Sequence, residues 1–355
     1  MKIIVIPGDG IGPEIVAATE RVLRAVSDRF ALGLQYEHHK VGLSQLEKIG
    51  TTFPEGLLER CRTADGIVLG PVSHGQYPPR AQGGINPSAE LRIQLDLFAN
   101  VRPSRTRAGM PHYGRTPMDL VIVRENTEGF YADRNMHVGI GEFMPTPEVA
   151  LAVRKITAKG SERIARSAFA LAMKRRRKVT AVHKQNVMRI SDQLFLDNVR
   201  RVAAEHPAVE YEEQLVDSMA ALLVRDAARY DVVVTTNMFG DILSDEAAEL
   251  SGSLGLAGSI NASHEHCMAQ AQHGSAPDIA GQDRANPVSL ILSAAMLLEW
   301  LAIRHGNDGF ARAHQLIDAS VDALLADPQR RTRDLGGSLG TSAFADALVR
   351  EMQAR

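Results

Sequence analysis

Cysteine is scarce in this sequence, with only Cys61 and Cys267 among 355 residues. The two lie far apart and fit neither a disulfide framework nor a thiolate metal site. Such a composition is typical of a reducing compartment, so we expect a cytoplasmic protein. The opening residues, MKIIVIPGDG, contain a short apolar run that Pro7 interrupts, which favours a first buried strand over a signal peptide.

An excess of charge of either sign is also absent, since 40 Lys and Arg residues face 42 Asp and Glu residues. A net charge of −2 gives no overall attraction to nucleic acid or to an anionic membrane. The basic run KRRRK (174–178) precedes a predicted strand and suits the end of a helix. The longest apolar stretch, 289–303, contains Glu299 and is shorter than a bilayer requires. We therefore expect neither nucleic acid nor a membrane as a partner.

Short β-branched runs alternate with amphipathic stretches along the chain, which predicts an α/β fold with a substantial parallel sheet. The length and an apolar fraction of 45% suggest two domains or lobes. Residues 71–87 hold four prolines and three glycines and are predicted to form a functional loop. The predicted strands are 2–6, 66–70, 118–124, 178–183 and 231–236, and the predicted helices are 12–29, 190–204 and 286–304.

Two glycine-rich segments could bind a cofactor. IPGDGIGPE (6–14) joins a strand to a helix, but its glycines do not follow the G-x-G-x-x-G spacing, so a ligand-free tight turn is as good an interpretation. The second segment, 272–287, contains His273 and Asp278 and leads into a helix. An acidic side chain there can bind a ribose 2′-hydroxyl and repel a 2′-phosphate. The alternative interpretation of this segment is a plain surface turn that binds no ligand.

Three arginines lie near the boundaries of predicted elements: Arg92 in ELRIQL, Arg102 in ANVRP and Arg124 in VIVREN. Arginine can hold a carboxylate through two parallel hydrogen bonds, and several together suit a substrate with more than one carboxylate. The alternative for any one of them is a surface ion pair. Tyr131 and Lys184 follow predicted strands, where α/β sheets commonly place ligands and catalytic groups.

Asp241 and Asp245 lie four residues apart in NMFGDILSDEAAELSG (237–252). On a helix they share one face, where their like charges repel each other. A divalent cation such as Mg²⁺ would turn this repulsion into attraction, and Asp217 could supply a third carboxylate. The spacing alone also fits a solvated helix face.

In order and over almost the whole chain, these segments resemble the isocitrate and isopropylmalate dehydrogenase family of metal-dependent β-decarboxylating dehydrogenases. The resemblance rests on GDGIGPE, LRIQLDLFANVRP, VIVRENTEGFY, AVHKQNV, TTNMFGDILSD and HGSAPDIAGQDRANP. It implies a two-lobed isopropylmalate-dehydrogenase-like fold with a central mixed sheet, distinct from a Rossmann domain. Residues 1–99 with 251–355 would form the cofactor lobe, and residues 100–250 the dimer-forming substrate lobe.

The resemblance also implies a role for each candidate residue. Arg92, Arg102 and Arg124 would bind substrate carboxylates. Asp217, Asp241 and Asp245 would hold Mg²⁺ or Mn²⁺, while Tyr131 and Lys184 would be the acid/base pair. In the family the lysine and one metal aspartate come from the neighbouring subunit, so a homodimer with shared sites is implied, with pairing of dimers into tetramers left open.

The cofactor implied by the resemblance is NAD, because APDIAG is similar to the NAD-using members. The residues expected to bind it are His273, Gly274, Ser275, Ala276, Asp278, Ile279 and Asn286. The expected reaction is oxidative decarboxylation of a 3-carboxy-2-hydroxy acid to a 2-oxo acid, CO₂ and NADH. A regulatory subunit of a family oligomer is the non-enzyme alternative.

The substrate pocket should be polar, because Asn86 and Ser88 occupy the stretch before Arg92 where isopropylmalate enzymes carry leucines. This favours a polar or carboxylate third arm, as in isocitrate or homoisocitrate. The alternatives are 3-isopropylmalate and a malate or tartrate derivative. The sequence AQAQH departs from the family pattern by placing neutral Gln270 where a glutamate near the nicotinamide is usual.

Overall fold

The computed structural model describes residues 1–131 and 136–355. Within them the strands are β1 Lys2–Ile6, β2 Gln35–His38, β3 Gly66–Leu69, β4 Ala99–Arg105, β5 Asp119–Glu125, β6 Glu142–Thr146, β7 Val149–Ala152, β8 Lys178–His183, β9 Glu210–Leu215, β10 Val232–Thr235, β11 Ile260–Ala262 and β12 Cys267–Gln270. The helices are α1 Gly12–Phe30, α2 Leu43–Ile49, α3 Leu57–Arg62, α4 Pro87–Gln94, α5 Ala158–Ala172, α6 Ser191–Ala204, α7 Val216–Asp226, α8 Asn237–Ser251, α9 Val288–His305, α10 Asp308–Ala326 and α11 Thr341–Ala354.

One ten-stranded sheet runs through the molecule in the order β2-β1-β3-β12-β11-β4-β5-β10-β8-β9. Pairing is parallel from β2 to β12 and again from β5 to β9. It is antiparallel in the middle, where β11 and β4 join the two parallel halves. The expected α/β fold with a mixed central sheet is therefore confirmed.

Helices cover both faces of each half of this sheet. Alternate residues of β1 enter different cores, since Ile3 and Val5 pack with α1 and α9 while Ile4 and Ile6 pack with α3 and α4. In the other half, α5 and α6 cover one face and α7 and α8 the other. This alternation explains why the strands are apolar along their whole length. The lobe boundaries at residues 99 and 251 stay a prediction.

The predicted helices form with shifts of one or two residues at their ends. Residues 71–87 contain two short 3₁₀ turns, His74–Gln76 and Arg80–Gln82, before α4 begins at Pro87. Helix α9 is the one helix in the described ranges that is long and apolar enough to cross a membrane. It packs against α10 and β12 inside the protein, as a core helix does.

Strands β6 and β7 form a separate antiparallel hairpin that does not join the large sheet. Every residue of both strands is exposed. The exposed residues include Phe143, Met144, Val149 and Leu151. Contiguous apolar side chains of this kind commonly mark a protein–protein contact.

Candidate active site

Arginines from two strands and aspartates from one helix meet where β4 and β5 face α8. Arg102, on β4, lies 3.2 Å from Asp241 and 3.1 Å from Asp245 and also donates to Ser244 at 2.8 Å. Arg124, on β5, contacts Asp241 directly. Two arginines and two carboxylates thus form one connected cluster, made of residues to which the family resemblance gives roles in binding substrate and metal.

Gly240 allows this close approach of helix to strand. A Cβ at this position would lie 2.6 Å from both Cβ and Cγ of Arg124, which is closer than any real contact. Asn237, at the start of α8, accepts hydrogen bonds from Arg124 Nε at 2.9 Å and Nη2 at 2.6 Å. The guanidinium of Arg124 is therefore held in a fixed orientation by neutral and charged acceptors together.

The electrostatics of the two aspartates differ. Burial favours the neutral form of Asp241, but the nearby Arg124 and Arg102 outweigh it and lower the pKa of that carboxyl group. Burial raises the pKa of Asp245, and the charge of Asp241 adds to this effect. Burial and the repulsion of Arg102 lower the pKa of Arg124 to about 10. Of the two aspartates, Asp241 is therefore the one whose negative charge the surrounding residues favour.

Tyr131 lies at the same cluster, with its phenol hydroxyl donating to Asp241 Oδ2 at 3.3 Å. The Arg124 guanidinium lies 5.8 Å from the centroid of the tyrosine ring. A hydroxyl in this position can exchange a proton with a group bound beside Asp241. The structure therefore brings the predicted acid next to two of the predicted substrate and metal residues.

Lys184 and Asp217 are paired with each other, at 2.5 Å, away from this cluster. Among the residues described, no three His, Cys, Asp or Glu side chains are close enough to hold a metal ion together. Asp217 is exposed, and its hydrogen bond from Lys184 lowers its pKa. A single chain thus brings Asp241 and Asp245 together but leaves the predicted third ligand and the predicted base elsewhere.

Helix α4 carries Ser88 and Arg92 and follows Asn86, and all three are residues predicted to bind substrate. The side-chain oxygen of Asn86 caps the helix by accepting from the backbone N–H groups of Ser88 and Ala89. Ser88 Oγ and Arg92 Nη2 both donate to Gln270 Oε1, at 2.9 Å and 3.1 Å. Only the amide nitrogen of Asn86 is left for a substrate, so its predicted binding role is limited to a donor.

The glycine-rich turn at residues 8–12 packs against other loops. Asp9 accepts from the backbone N–H of Leu43 at 2.8 Å, from that of Ser73 at 2.9 Å and from the Tyr77 hydroxyl. A Cβ on Gly10 would lie 1.9 Å from the Ser275 carbonyl oxygen. The turn therefore supports the second glycine-rich segment, which accounts for its glycines without a ligand.

In that second segment, His273 has an unusual free acceptor. Its Nδ1 lies 3.0 Å from the Gly274 carbonyl oxygen, so Nδ1 carries the proton and Nε2 is an acceptor. Burial lowers the pKa of His273, and its Nε2 is buried without a hydrogen bond to any described residue.

The rest of this segment is partly open to solvent. Gly274 and Asp278 are exposed, and Ala276 has a positive φ of 37°. The hydroxyl Oγ of Ser275 lies 2.8 Å from Ser73 Oγ, in hydrogen-bonding contact.

The remaining two residues predicted to bind the cofactor, Ile279 and Asn286, contact other parts of the protein. Ile279 packs against the core of the first sheet half. The side-chain nitrogen of Asn286 donates to Asp334 at 2.9 Å, and its oxygen accepts from the Val288 N–H at 3.0 Å, which orders the start of α9. The segment 273–279 thus offers an acceptor, a carboxylate and exposed backbone, which fit a nucleotide with ribose hydroxyls.

The donor set also fits a divalent cation. Asp241 and Asp245 present carboxylate oxygens one helical turn apart, and the Asp245 side chain is open to solvent, where a cation can reach both carboxylates. Further oxygens must come from water, substrate or another subunit, because the described chain offers only this pair at the cluster. The magnesium or manganese prediction is therefore consistent with these residues.

Two residues that contact the candidate site residues, Asp192 and Gln272, were not predicted from the sequence. Asp192 is fully buried, accepts from the Lys184 N–H at 2.5 Å and pairs with Arg154 at 2.5 Å, so it fixes the chain at Lys184. In the sequence it lies at the beginning of the predicted helix 190–204, with no sign of a role at the site. Gln272 lies 3.5 Å from Asp245, and its Oε1 is buried without a described partner. The two glutamines in AQAQH were the available signal for it.

The paired arginines and aspartates and the loop at 273–279 lie along one mixed sheet, an arrangement that suits a metal-dependent dehydrogenase of hydroxy acids. The chain belongs to the isocitrate/isopropylmalate dehydrogenase family, whose model it matches over residues 2–348. It is accordingly an oxidoreductase of the decarboxylating type, and NAD and a metal ion are general requirements of that family.

Individual relatives are named for different substrates. The chain is 40% identical over 349 residues to a 3-isopropylmalate dehydrogenase of Archaeoglobus fulgidus, covering 98% of each chain. It is 41% identical over 355 residues to an isocitrate/homoisocitrate dehydrogenase of Thermus thermophilus, covering 99% of this chain and 98% of that one. The crystal structure of isocitrate dehydrogenase from Methylococcus capsulatus superposes with a TM-score of 0.87 at 38% identity, covering 99% of both chains.

Proposed function

We propose that the protein catalyses NAD-dependent oxidative decarboxylation of a 3-carboxy-2-hydroxy acid of the isocitrate or homoisocitrate kind, yielding a 2-oxo acid, CO₂ and NADH. The cluster of Arg102, Arg124, Asp241 and Asp245 carries this proposal, because it brings together guanidinium groups suited to carboxylates and carboxylates suited to a cation. Arg92 and Ser88, joined through Gln270, would complete the substrate pocket with polar groups.

The arginines would hold the substrate carboxylates and so fix C2 and C3 relative to the cofactor. Asp241 and Asp245, with the partner subunit's Asp217, would hold Mg²⁺ or Mn²⁺. When bound, that cation lowers the pKa of the substrate hydroxyl and stabilises negative charge on the oxygen after CO₂ leaves.

Lys184 would accept the hydroxyl proton in the partner's site as hydride leaves C2 for NAD⁺. Tyr131 would then protonate the carbon that lost CO₂, which its position at Asp241 supports. Asp278 would bind the ribose 2′-hydroxyl and favour NAD over NADP, and His273 Nε2 would accept a hydrogen bond from the nucleotide. We also propose a cytoplasmic location.

Two observations support a homodimer with shared sites. The apolar side chains of the β6–β7 hairpin are exposed and suit contact with a second copy. Lys184 and Asp217 pair with each other instead of reaching the Asp241 cluster of their own chain. A homodimer would cover the exposed hairpin, and it would give Lys184 and Asp217 a role if each subunit supplied these two residues to its partner's site.

The test is NADH formation by the purified protein with Mn²⁺, with isocitrate, homoisocitrate, 3-isopropylmalate, malate and tartrate compared by kcat/KM. A tricarboxylate should be preferred, and Asp241→Asn should lower kcat by about a hundredfold or more. Glu249→Gln, also on α8, serves as the control for a lost carboxylate. Absence of NADH formation with every acid would contradict the proposal.

A second candidate is 3-isopropylmalate oxidation, favoured by the 40% identity to the enzyme from Archaeoglobus fulgidus. The same comparison of acids separates the two, because an isopropyl arm gains from an apolar pocket and leaves Ser88 without a polar partner from the substrate. Preference for isopropylmalate would overturn the polar-pocket interpretation while leaving the reaction type in place.

A further inference from the structure

Arg154 contacts two parts of the chain that the proposed function uses, although it has no role of its own in that function. It lies two residues after β7, between the exposed hairpin and α5. Its side chain is only 9% exposed. The guanidinium reaches the start of α6 on one side and the residue before α8 on the other.

The first of these contacts leads to Lys184. Arg154 Nη1 donates to Asp192 Oδ1 at 2.5 Å and to Ser191 Oγ at 2.7 Å, both in the first turn of α6. The other carboxylate oxygen of Asp192, Oδ2, accepts from the backbone N–H of Lys184 at 2.5 Å. Asp192 is fully buried, and Arg154 is the cation placed beside it. Arg154 therefore fixes, through Asp192, the backbone from which the Lys184 side chain extends.

The second contact leads to α8. Arg154 Nη2 donates to Thr236 Oγ1 at 3.1 Å. Thr236 immediately precedes α8, and its carbonyl oxygen accepts from the Gly240 N–H at 2.9 Å, within the first turn. The guanidinium also lies 5.5 Å from the centroid of the Phe239 ring. The same side chain thus holds the start of the helix on which Asp241 follows.

Arginine suits this double role better than lysine does. The guanidinium is planar, and its donors point in fixed directions. The bonds from Nη1 and Nη2 therefore fix the start of α6 relative to the start of α8. A lysine ammonium could compensate the charge of Asp192, but it could not span both contacts in one rigid group.

In the proposed dimer these two contacts serve different active sites. Asp241 and Asp245, on α8, would hold the cation in the site of their own chain. Lys184 would act in the site of the partner. One guanidinium consequently supports residues of both sites.

We propose that Arg154 is a positioning residue that links the two active sites of the dimer. It holds α8 for the cation of its own site and, through Asp192, holds Lys184 for the site of the partner. This proposal rests on the proposed function for the sharing of sites, and it adds a residue that touches neither substrate nor cation.

The test places Arg154→Gln in one subunit of a mixed dimer at a time. One subunit carries Lys184→Ala and contributes α8 to the single working site, and the other carries Asp241→Asn and contributes Lys184. The two subunits bear different affinity tags, so that mixed dimers can be purified and the rates expressed per dimer. The maximal rate of NADH formation and the half-saturating Mn²⁺ concentration are measured with the acid that the wild type prefers.

The expected effect depends on which subunit carries Arg154→Gln. In the subunit that contributes Lys184, the substitution should lower the maximal rate about tenfold and change the half-saturating Mn²⁺ concentration by less than about twofold. In the subunit that contributes α8, it should raise the half-saturating Mn²⁺ concentration about tenfold and change the maximal rate by less than about twofold. A general loss of stability would not depend on the placement in this way.

Two further variants serve as controls. Arg201→Gln removes another arginine of α6, which pairs with Glu162 at 2.7 Å but is half exposed, and it should change neither quantity by more than about twofold. Should Arg154→Gln not fold, Arg154→Lys keeps a charge beside Asp192 while losing the bond to Thr236. It should raise the half-saturating Mn²⁺ concentration in the α8-contributing subunit and leave the maximal rate nearly unchanged in the other.

The same change in both placements, or no change in either, would overturn the proposal while the parent mixed dimer stays active. An inactive parent mixed dimer would show instead that sites are not shared. That outcome would overturn the shared-site part of the proposed function and the link between sites together.

Discussion

At the scale of single residues, Gly240 determines how closely α8 approaches Arg124. We expect Gly240→Ala to displace that guanidinium and to raise the KM for substrate by about tenfold, because an added Cβ would lie 2.6 Å from the arginine side chain. Steady-state kinetics checks this. Gly75→Ala is the matched control, since a Cβ there meets no atom within 4 Å. Equal KM values for the two variants would contradict the expectation.

Residue types with one dominant chemistry were predictable from sequence, and residues with several roles were not. Arginines and paired aspartates suit carboxylates and a cation, but their spacing alone left a surface ion pair and a solvated helix face open. The family resemblance assigned Arg102, Arg124, Asp241 and Asp245 their expected roles. The side chain of Asn86 looked like a substrate contact, yet its oxygen caps α4. Caps and buried ion pairs depend on which backbone groups lie nearby, which spacing along the chain does not reveal.

At the scale of elements, ion pairs connect β4 to α10. Arg105 contacts Asp318 at 2.8 Å and Asp322 at 2.7 Å, and Arg107 is buried beside the same two aspartates. Burial favours neutral Asp318, but Arg107 and Arg105 outweigh it and lower its pKa. A carboxyl group whose pKa is lower in the folded state stabilises the fold above its unfolded pKa, and this contribution is lost as the pH falls through the folded value.

We therefore expect Asp318→Asn to lower Tm at about pH 7, with the difference from wild type narrowing below about pH 4 as the wild-type carboxylate is protonated. Thermal melts across this pH range test it. Asp226→Asn is the control, because Asp226 forms no ion pair with the described residues. A difference that stays constant down to the lowest pH would show that charge is not the cause.

Some strands could be predicted from the sequence, and others could not. Strands β1, β3, β5, β8 and β10 are short apolar runs buried on both faces, and a parallel sheet requires that pattern. Strand β4 alternates buried and half-buried residues and contains Pro103, which argues against a central strand. Strand β11 has only three residues, and the hairpin strands are exposed throughout, so none of these gives an inside–outside signal.

At the scale of the whole molecule, the proposed sharing of sites between two subunits makes a specific prediction for mixed dimers. Lys184→Ala and Asp241→Asn should each inactivate the homodimer. In a mixed dimer, one site would combine the intact Asp241 of one subunit with the intact Lys184 of the other. After unfolding and refolding of equal amounts together, about half of the dimers are mixed and each has one working site, so about one quarter of the wild-type activity should return.

Recovery is measured against the two variants refolded separately, which should stay inactive. If each site were built within one chain, every mixed dimer would hold two defective sites and no activity would return. The lobe division at residues 99 and 251 remains a sequence prediction, because the sheet continues through both halves without a gap.

The exposed hairpin also bears on the life of the chain before assembly. Among the residues that the structure describes, nothing pairs with the outer edges of its two strands, and apolar side chains such as Phe143 and Leu151 lie on the surface. Such edges are templates for pairing with other chains, right or wrong. If the hairpin contacts a second copy, as proposed, a newly synthesised subunit should be most prone to aggregation while it is alone. Its yield in a cell should then depend on expression level and on the supply of chaperones.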